Sequence, residues 1–327
     1  MRIKFLLIPL GVLAIFIAFL APNVLAVSPS SISVTINPPN PAPYASVTIT
    51  LSSFAANLDS VNIVWLEDGK TVLSGVGKKS YSTTTKKENV ETRIEARIFL
   101  PDGEINKNIS IRPAVMVLLW QANDSYVPPF YKGKALPTAD SEIKIVAMPE
   151  IVVSGSKITP DKMTYSWKLD YNNQPSDSGY GKNAFVFTND YLESSNTVSV
   201  VASTTNQQHS SEASINVTTV NPEISFYKKD AILGTLWERA LFNNYLIQGE
   251  EIVIAEPYFI SPKNWRRPEL IFNWSINNRS VVVPNYLKNL MSLKTAEGVT
   301  GTSILRLNIE NTDKIFQTAK KEINIQF

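Results

Sequence analysis

The chain of 327 residues holds one histidine, His209, and no cysteine, and these two counts remove most catalytic chemistry at once. A nitrogen–sulfur metal site needs three or four imidazole or thiolate ligands, which this composition cannot assemble. A Ser-His-Asp triad would have to use His209, and no G-x-S-x-G elbow offers it a nucleophile. His209 lies in the polar stretch "NQQHSSE" and reads as a solvated loop residue. The sequence contains no P-loop, dinucleotide fingerprint or zincin motif. Carboxylates are the remaining route to hydrolysis, with Glu67-Asp68 and Glu250-Glu251 as candidate pairs. Neighbours on a strand point to opposite faces, whereas a glycosidase sets its two carboxyls across one bond, so these pairs read as surface charge. "NLDS" (57–60), "LEDG" (66–69) and "NDS" (123–125) carry oxygens suited to calcium, without the spacing of an EF-type loop. No catalytic, cofactor-binding or metal-ligating residue is therefore assigned, and the expectation is a protein that is not an enzyme and carries no cofactor.

Aromatic residues offer a different chemistry. Trp120, Tyr126, Phe130 and Tyr131 stand in "RPAVMVLLWQANDSYVPPFY" (112–131), and Trp237 follows a second opening, "NPEISFY". Tyr258, Phe259 and Trp265 carry the same ambiguity. Such residues either stack on sugars or pack between domains; beside prolines, packing is preferred and the sugar platform is the alternative. The sequons at Asn108, Asn123, Asn216, Asn273 and Asn278 are ordinary in an asparagine-rich β-protein and do not establish glycosylation.

The elements that would position these residues repeat. "VNIVWLEDGK", "MTYSWKLDYNN" and "LIFNWSINNR" align on Trp65, Trp167 and Trp274, which are 102 and 107 residues apart. Apolar residues two and four positions earlier, such as Ile63 and Val61, put each tryptophan on one face of a half-buried strand. A lysine follows 13, 15 or 14 residues later (Lys78, Lys182, Lys288), and Tyr81, Phe185 or Met291 follows at a fixed offset from it. Alternating strands around Ile94-Ala96-Ile98, Val198-Val200-Ala202 and Leu305-Leu307-Ile309 come next, and each copy closes on a last strand. Domains are placed at 27–113, 114–221 and 222–327, with the two openings matched at an offset of 109. On that register Val115, Val117 and Leu119 line one sheet face, while the end of the first domain covers Met116, Leu118 and Trp120. "YVPPFY" is expected to run stiff and extended, and Phe226 and Trp237 are expected to act at the second seam. Held at a preferred angle, such domains would make an elongated rod.

Units of this size, with short alternating strands and one early core tryptophan, resemble immunoglobulin-like sandwiches. The windows "VWLEDGK" and "NWSINNR" resemble the bacterial immunoglobulin-like and PKD-like families, which implies a tryptophan between two sheets. The three-unit layout, with "VPPFYKGKALP" and "AEPYF", is similar to uncharacterised exported envelope proteins of candidate-phylum bacteria. The expected fold is all-β, with three tandem immunoglobulin-like (PKD-like) sandwiches after an N-terminal signal peptide.

Arg2 and Lys4 precede an apolar run from Phe5 to Ala21, and Val24-Leu25-Ala26 forms a small-residue cleavage site, so residues 1–26 read as a secretory signal. An uncleaved anchor is the alternative, and it is the membrane contact expected of this chain. Without Arg2 and Lys4 the 31 basic residues become 29, equal to the 29 acidic ones. That neutrality argues against a nucleic-acid partner. Absence of cysteine leaves folding to the cores. The function expected is a non-enzymatic, structural or adhesive protein at the cell surface or secreted, with other envelope proteins or surface glycans as partners.

Overall fold

The computed structural model describes residues 28–296 and 298–327, so the expected signal peptide lies outside the described residues. Among the described residues there is no α-helix, only strands and three short 3₁₀ turns, and no helix long and apolar enough to cross a membrane. The chain divides into two compact units between Ala114 and Val115.

The first unit holds β1 (Ile32–Asn37), β2 (Ser46–Ser53), β3 (Asn62–Glu67), β4 (Lys70–Val76), β5 (Ser80–Thr84), β6 (Thr92–Leu100) and β7 (Gly103–Ile111). They form two sheets, β1-β2-β5 and β4-β3-β6-β7, which close over Ile49, Leu51, Ile63, Trp65, Ile94 and Ile98.

The second unit holds two further sandwiches. The middle one contains β8 (Val115–Ala122), β9 (Glu142–Glu150), the small hairpin β10 (Val152–Val153) and β11 (Ser156–Lys157), β12 (Thr164–Leu169), β13 (Asn172–Asn173), β14 (Gly179–Tyr180), β15 (Ala184–Thr188), β16 (Ser195–Ser203) and β17 (Ser210–Thr218). Its main sheets are β8-β9-β15 and β13-β12-β16-β17, with β14 added to β12. The third contains β18 (Glu223–Asp230), β19 (Gly234–Ala240), β20 (Tyr245–Leu246), β21 (Glu250–Tyr258), β22 (Leu270–Ile276), β23 (Arg279–Val281), β24 (Leu290–Lys294), β25 (Thr302–Asn311) and β26 (Ala319–Gln326). Its sheets are β19-β18-β21-β24 and β20-β26-β25-β22-β23, with β20 pairing parallel to β26. Each sandwich thus sets a three-strand pattern against a four-strand pattern, the arrangement of an immunoglobulin-like fold; the third adds one strand to each sheet.

The tryptophan repeat is a repeat of register. Trp65 lies opposite Ala96, Trp167 opposite Val200 and Trp274 opposite Leu307. All three indoles are buried, and each N–H donates to the carbonyl of the repeated lysine: Lys78 at 2.7 Å, Lys182 at 2.9 Å and Lys288 at 2.8 Å. A buried N–H without a partner is costly, so what the spacing conserves is a backbone oxygen at fixed reach. Rings of Tyr81 and Phe185 lie 5.7 and 5.5 Å from Trp65 and Trp167, and Phe226 stacks on Trp274 at 5.5 Å. Three residues past each tryptophan, Asp68, Asp170 and Asn277 have φ of 48, 47 and 48°, a region that Asp and Asn tolerate. Their side-chain oxygens accept from the N–H of Arg93, Thr197 and Ile304 at 3.2, 2.7 and 2.8 Å. The Asp-or-Asn position, absent from the repeat read in the sequence, locks the turn after the tryptophan strand to its neighbour.

Two expectations about the opening stretch are corrected. Val117 and Leu119 are exposed, while Met116, Leu118 and Trp120 are half-buried, and β8 packs against β17 of its own sandwich. The register explains the error: Leu118 pairs with Ala147 and Phe226 with Ala255, so the openings match at 226 − 118 = 108, and a one-residue slip turns every side chain to the other face. Phe226 is accordingly core, fully buried. "YVPPFY" does not run extended either. The N–H of Tyr131 bonds back to the carbonyl of Pro128 at 3.2 Å with Phe130 at φ 67°, a turn with proline at its second position and positive φ at its third. Leu118→Lys is therefore expected to cost about 2–3 kcal/mol by burying an amine, while Leu119→Lys stays within about 0.5 kcal/mol. Thermal melts of the two variants check the register directly.

Candidate functional site

The most structured polar region lies within residues 115–327, where loops of the middle sandwich meet the third. Asp124 is its hub. Its carboxylate takes the Lys314 ammonium at 2.6 Å, the Ser261 hydroxyl at 2.9 Å and the Glu142 N–H at 3.0 Å. Lys314 also donates to the Asp140 carbonyl, and the Gln317 amide donates to that of Ala139, both at 2.6 Å. The Gln317 side-chain oxygen accepts from the Ser261 N–H at 2.8 Å. Tyr126 pairs with this loop as an added bridge: its N–H donates to the Ile260 carbonyl, and its own carbonyl accepts from Phe259, each at 2.8 Å. Tyr191 and Phe316 stack at 4.5 Å with planes 4° apart.

The structure brings most of the sequence-predicted aromatics here. Phe130 reaches Trp237 at 6.5 Å, and Trp237 reaches Tyr227 at 5.2 Å. Tyr131 meets Tyr258 and Phe259 edge-on at 5.7 and 5.8 Å. The contacts of Phe130 and Tyr131 are packing between the middle and third sandwiches, whereas Trp237 and Tyr227 both belong to the third. Trp120 is not among them: the Lys134 ammonium sits 3.5 Å over its ring, and desolvation there lowers the Lys134 pKa. Trp265 is buried, faces Phe272 at 5.9 Å and carries the Arg266 guanidinium 4.7 Å from its ring centre.

Segment 126–129 walls a cleft of about 650 Å³ on the outer face of the third sandwich, lined also by Lys229, Trp237, Lys263, Arg266 and Tyr286. Its floor carries Glu256, which is 4% exposed. Strand parity sends Glu256 outward, opposite to Ala255; it is buried because the middle sandwich's segment lies over it. Its partner is the Tyr126 hydroxyl at 2.9 Å. Burial raises the Glu256 pKa above the usual carboxylate value, against the opposing effects of Tyr126 and Arg266, and burial followed by the Glu256 charge pushes the Tyr126 phenol well up. A carboxylate with a raised folded-state pKa contributes most below the unfolded value near 4.5, and that contribution is lost as pH rises through the folded value. Glu256→Gln, which still accepts from Tyr126, should therefore melt higher than the parent above neutrality, with the gap closing as pH falls below that range. Melting curves across pH check this sign.

The residues weighed for hydrolysis are engaged elsewhere. Glu67 accepts from Tyr81 and Thr83 at 2.6 and 2.9 Å, while Asp68 pairs with Lys86 at 2.6 Å. Glu251 is buried; desolvation would raise its pKa, but Lys228, Tyr245 and the Gln248 N–H hold it below the usual value. Its neighbour Glu250 points to Lys294 at 3.5 Å. Asp59 pairs with Lys79 at 2.9 Å. Among the described residues no group of three or more acidic or histidine side chains is placed to hold a metal. His209 sits at the β16–β17 turn, where its backbone exchanges hydrogen bonds with Thr204.

No protein-family model matches the chain, and no curated protein is similar to it in sequence. Solved structures similar to it include the fibronectin(III)-like modules of Clostridium thermocellum CbhA, at 14% identity over 57% of this chain and 94% of that one, with a TM-score of 0.27. The central fibronectin-III array of RIM-binding protein is similar at 10% identity over 90% and 95%, with a TM-score of 0.33. Sidekick-1 immunoglobulin domains 1–5 are similar at 9% identity over 90% and 59%, with a TM-score of 0.22.

Proposed function

We propose that this chain is a non-enzymatic, exported structural or adhesive protein of the cell envelope, in which tandem immunoglobulin-like domains at 27–113, 114–221 and 222–327 present surfaces to other envelope proteins or glycans. The observation that carries the reading is the Asp124–Lys314–Ser261–Gln317 network. Side chains and main chain of two consecutive sandwiches are bonded to each other directly, as a spacing or load-transmitting element requires and a free linker does not provide. The occupation of Glu67, Asp68 and Glu251 by partners from the same chain supports the non-enzymatic part. Crosslinking on intact cells tests it. An envelope protein or surface polymer joined to this chain is the expected product; recovery in the cytosol alone, or release of reducing sugar or peptide by the purified protein, overturns it.

A second reading, glycan binding, is favoured by the aromatic-lined cleft of the third sandwich. Binding on a glycan array that is lost in Trp237→Ala is its expected signature.

A further inference from the structure

Lys229, Lys263 and Arg266 line the same cleft, and among the described residues none of them forms an ion pair, whereas Lys79, Lys86, Lys157, Lys228, Arg306 and Lys314 all do. The acid of the cleft, Glu256, accepts from the Tyr126 hydroxyl, and Arg266 is the cation whose charge acts on it. Among the described residues that line this concavity, three cations stand against one acid, Glu256, a local excess of positive charge on a chain with balanced totals outside its N-terminal segment. Unpaired cations grouped in a cleft are a means of attracting and holding an anion, and a guanidinium binds a carboxylate in two-pronged fashion.

The same cleft carries aromatic faces. Trp265 is buried under Arg266 and Phe272; Trp237 meets Phe130 and Tyr227 yet stays half-buried, Tyr286 is 82% exposed, and both border the space. Asn264 and Asn289 add amide donors and acceptors. Flat aromatic surfaces with a few placed polar groups suit a ring-shaped polar ligand.

We infer that this cleft is a binding site for carboxylate-bearing oligosaccharides of the uronic-acid type, with the sugar rings on Trp237 and Tyr286 and the carboxylates on Lys263, Arg266 and Lys229. The inference rests on the glycan reading above and narrows it to an acidic class.

Isothermal titration of the full chain with tetragalacturonate, beside a neutral glucose oligomer of equal length and an oligoglutamate peptide, tests the assignment. The expected result is binding of the uronate at least about tenfold tighter than the neutral sugar, weakened by salt as exposed ion pairs are. Lys263→Gln with Arg266→Gln should reduce it by about tenfold or more. Tyr286→Ala, a change on an exposed ring that leaves the core untouched, should weaken uronate binding while the melting temperature stays at the parent value. Equal binding of the neutral sugar, insensitive to the lysine and arginine changes, overturns the acidic class and leaves glycan binding standing. Binding of oligoglutamate as tight as that of the uronate overturns the saccharide assignment. No binding of either sugar overturns both this inference and the glycan reading.

Discussion

Truncating Trp65, Trp167 or Trp274 to alanine is expected to destabilise the surrounding sandwich by about 3–5 kcal/mol, the largest single-residue effect in this molecule. Each ring is fully buried between its two sheets, so the change opens a cavity the neighbours cannot refill. It also strands the carbonyl of Lys78, Lys182 or Lys288, which then lacks its indole donor. Against a domain stability of roughly 5–15 kcal/mol, the loss should move a melting transition by on the order of 15 °C. Trp65→Ala should shift one transition by calorimetry and leave that of residues 115–327 in place. Replacement by phenylalanine keeps most of the ring contact but not the hydrogen bond, and should cost less. Unchanged curves for all three alanine variants would remove the tryptophans from the core.

The second large effect is expected at Asp124. Its carboxylate and the Lys314 ammonium are 22% and 28% exposed, buried enough that breaking the pair costs more than a surface ion pair yet less than the roughly 3–5 kcal/mol of a fully buried one. Asp124→Ala should weaken the coupling of the middle and third sandwiches by about 2 kcal/mol and resolve a joint transition into two. Adding Lys314→Met should restore part of the loss, since the lysine no longer loses a partner; a double-mutant cycle measures the interaction itself. A strictly additive cycle would mean that this ion pair does not link the two sandwiches.

The parts of the fold legible in the sequence were those with a period. Trp65, Trp167 and Trp274 stand on strands with one apolar face, so alternation fixes which side chains point inward, and the strands carrying Ala96, Val200 and Leu307 follow at matching distances. The first strand of the middle sandwich resisted the same reading because "VMVLLW" is apolar at both parities: alternation says nothing there, and only pairing with Ala147 decides the face. The site is harder still. Glu256 has the parity of a solvent-facing residue, and its burial comes from Tyr126, 130 residues earlier; Lys229 and Lys263 reach one cleft from separate elements. Such convergence belongs to tertiary structure and leaves no local pattern.

The contact of the segment beginning at Tyr126 with Glu256 also sets an order of events. Translation proceeds from the N-terminus, so Tyr126, Phe130 and Tyr131 are made more than a hundred residues before Tyr258 and Phe259, the rings against which Tyr131 packs. During that interval the aromatic turn is displayed to solvent with no surface to rest on. When the third sandwich emerges, part of its outer sheet finds its lid already made and waiting. The pairing is asymmetric: the middle sandwich can close its own core first, whereas the third, produced alone, would expose an apolar strip and an uncovered acid. The younger end of the chain is thus completed by the older one.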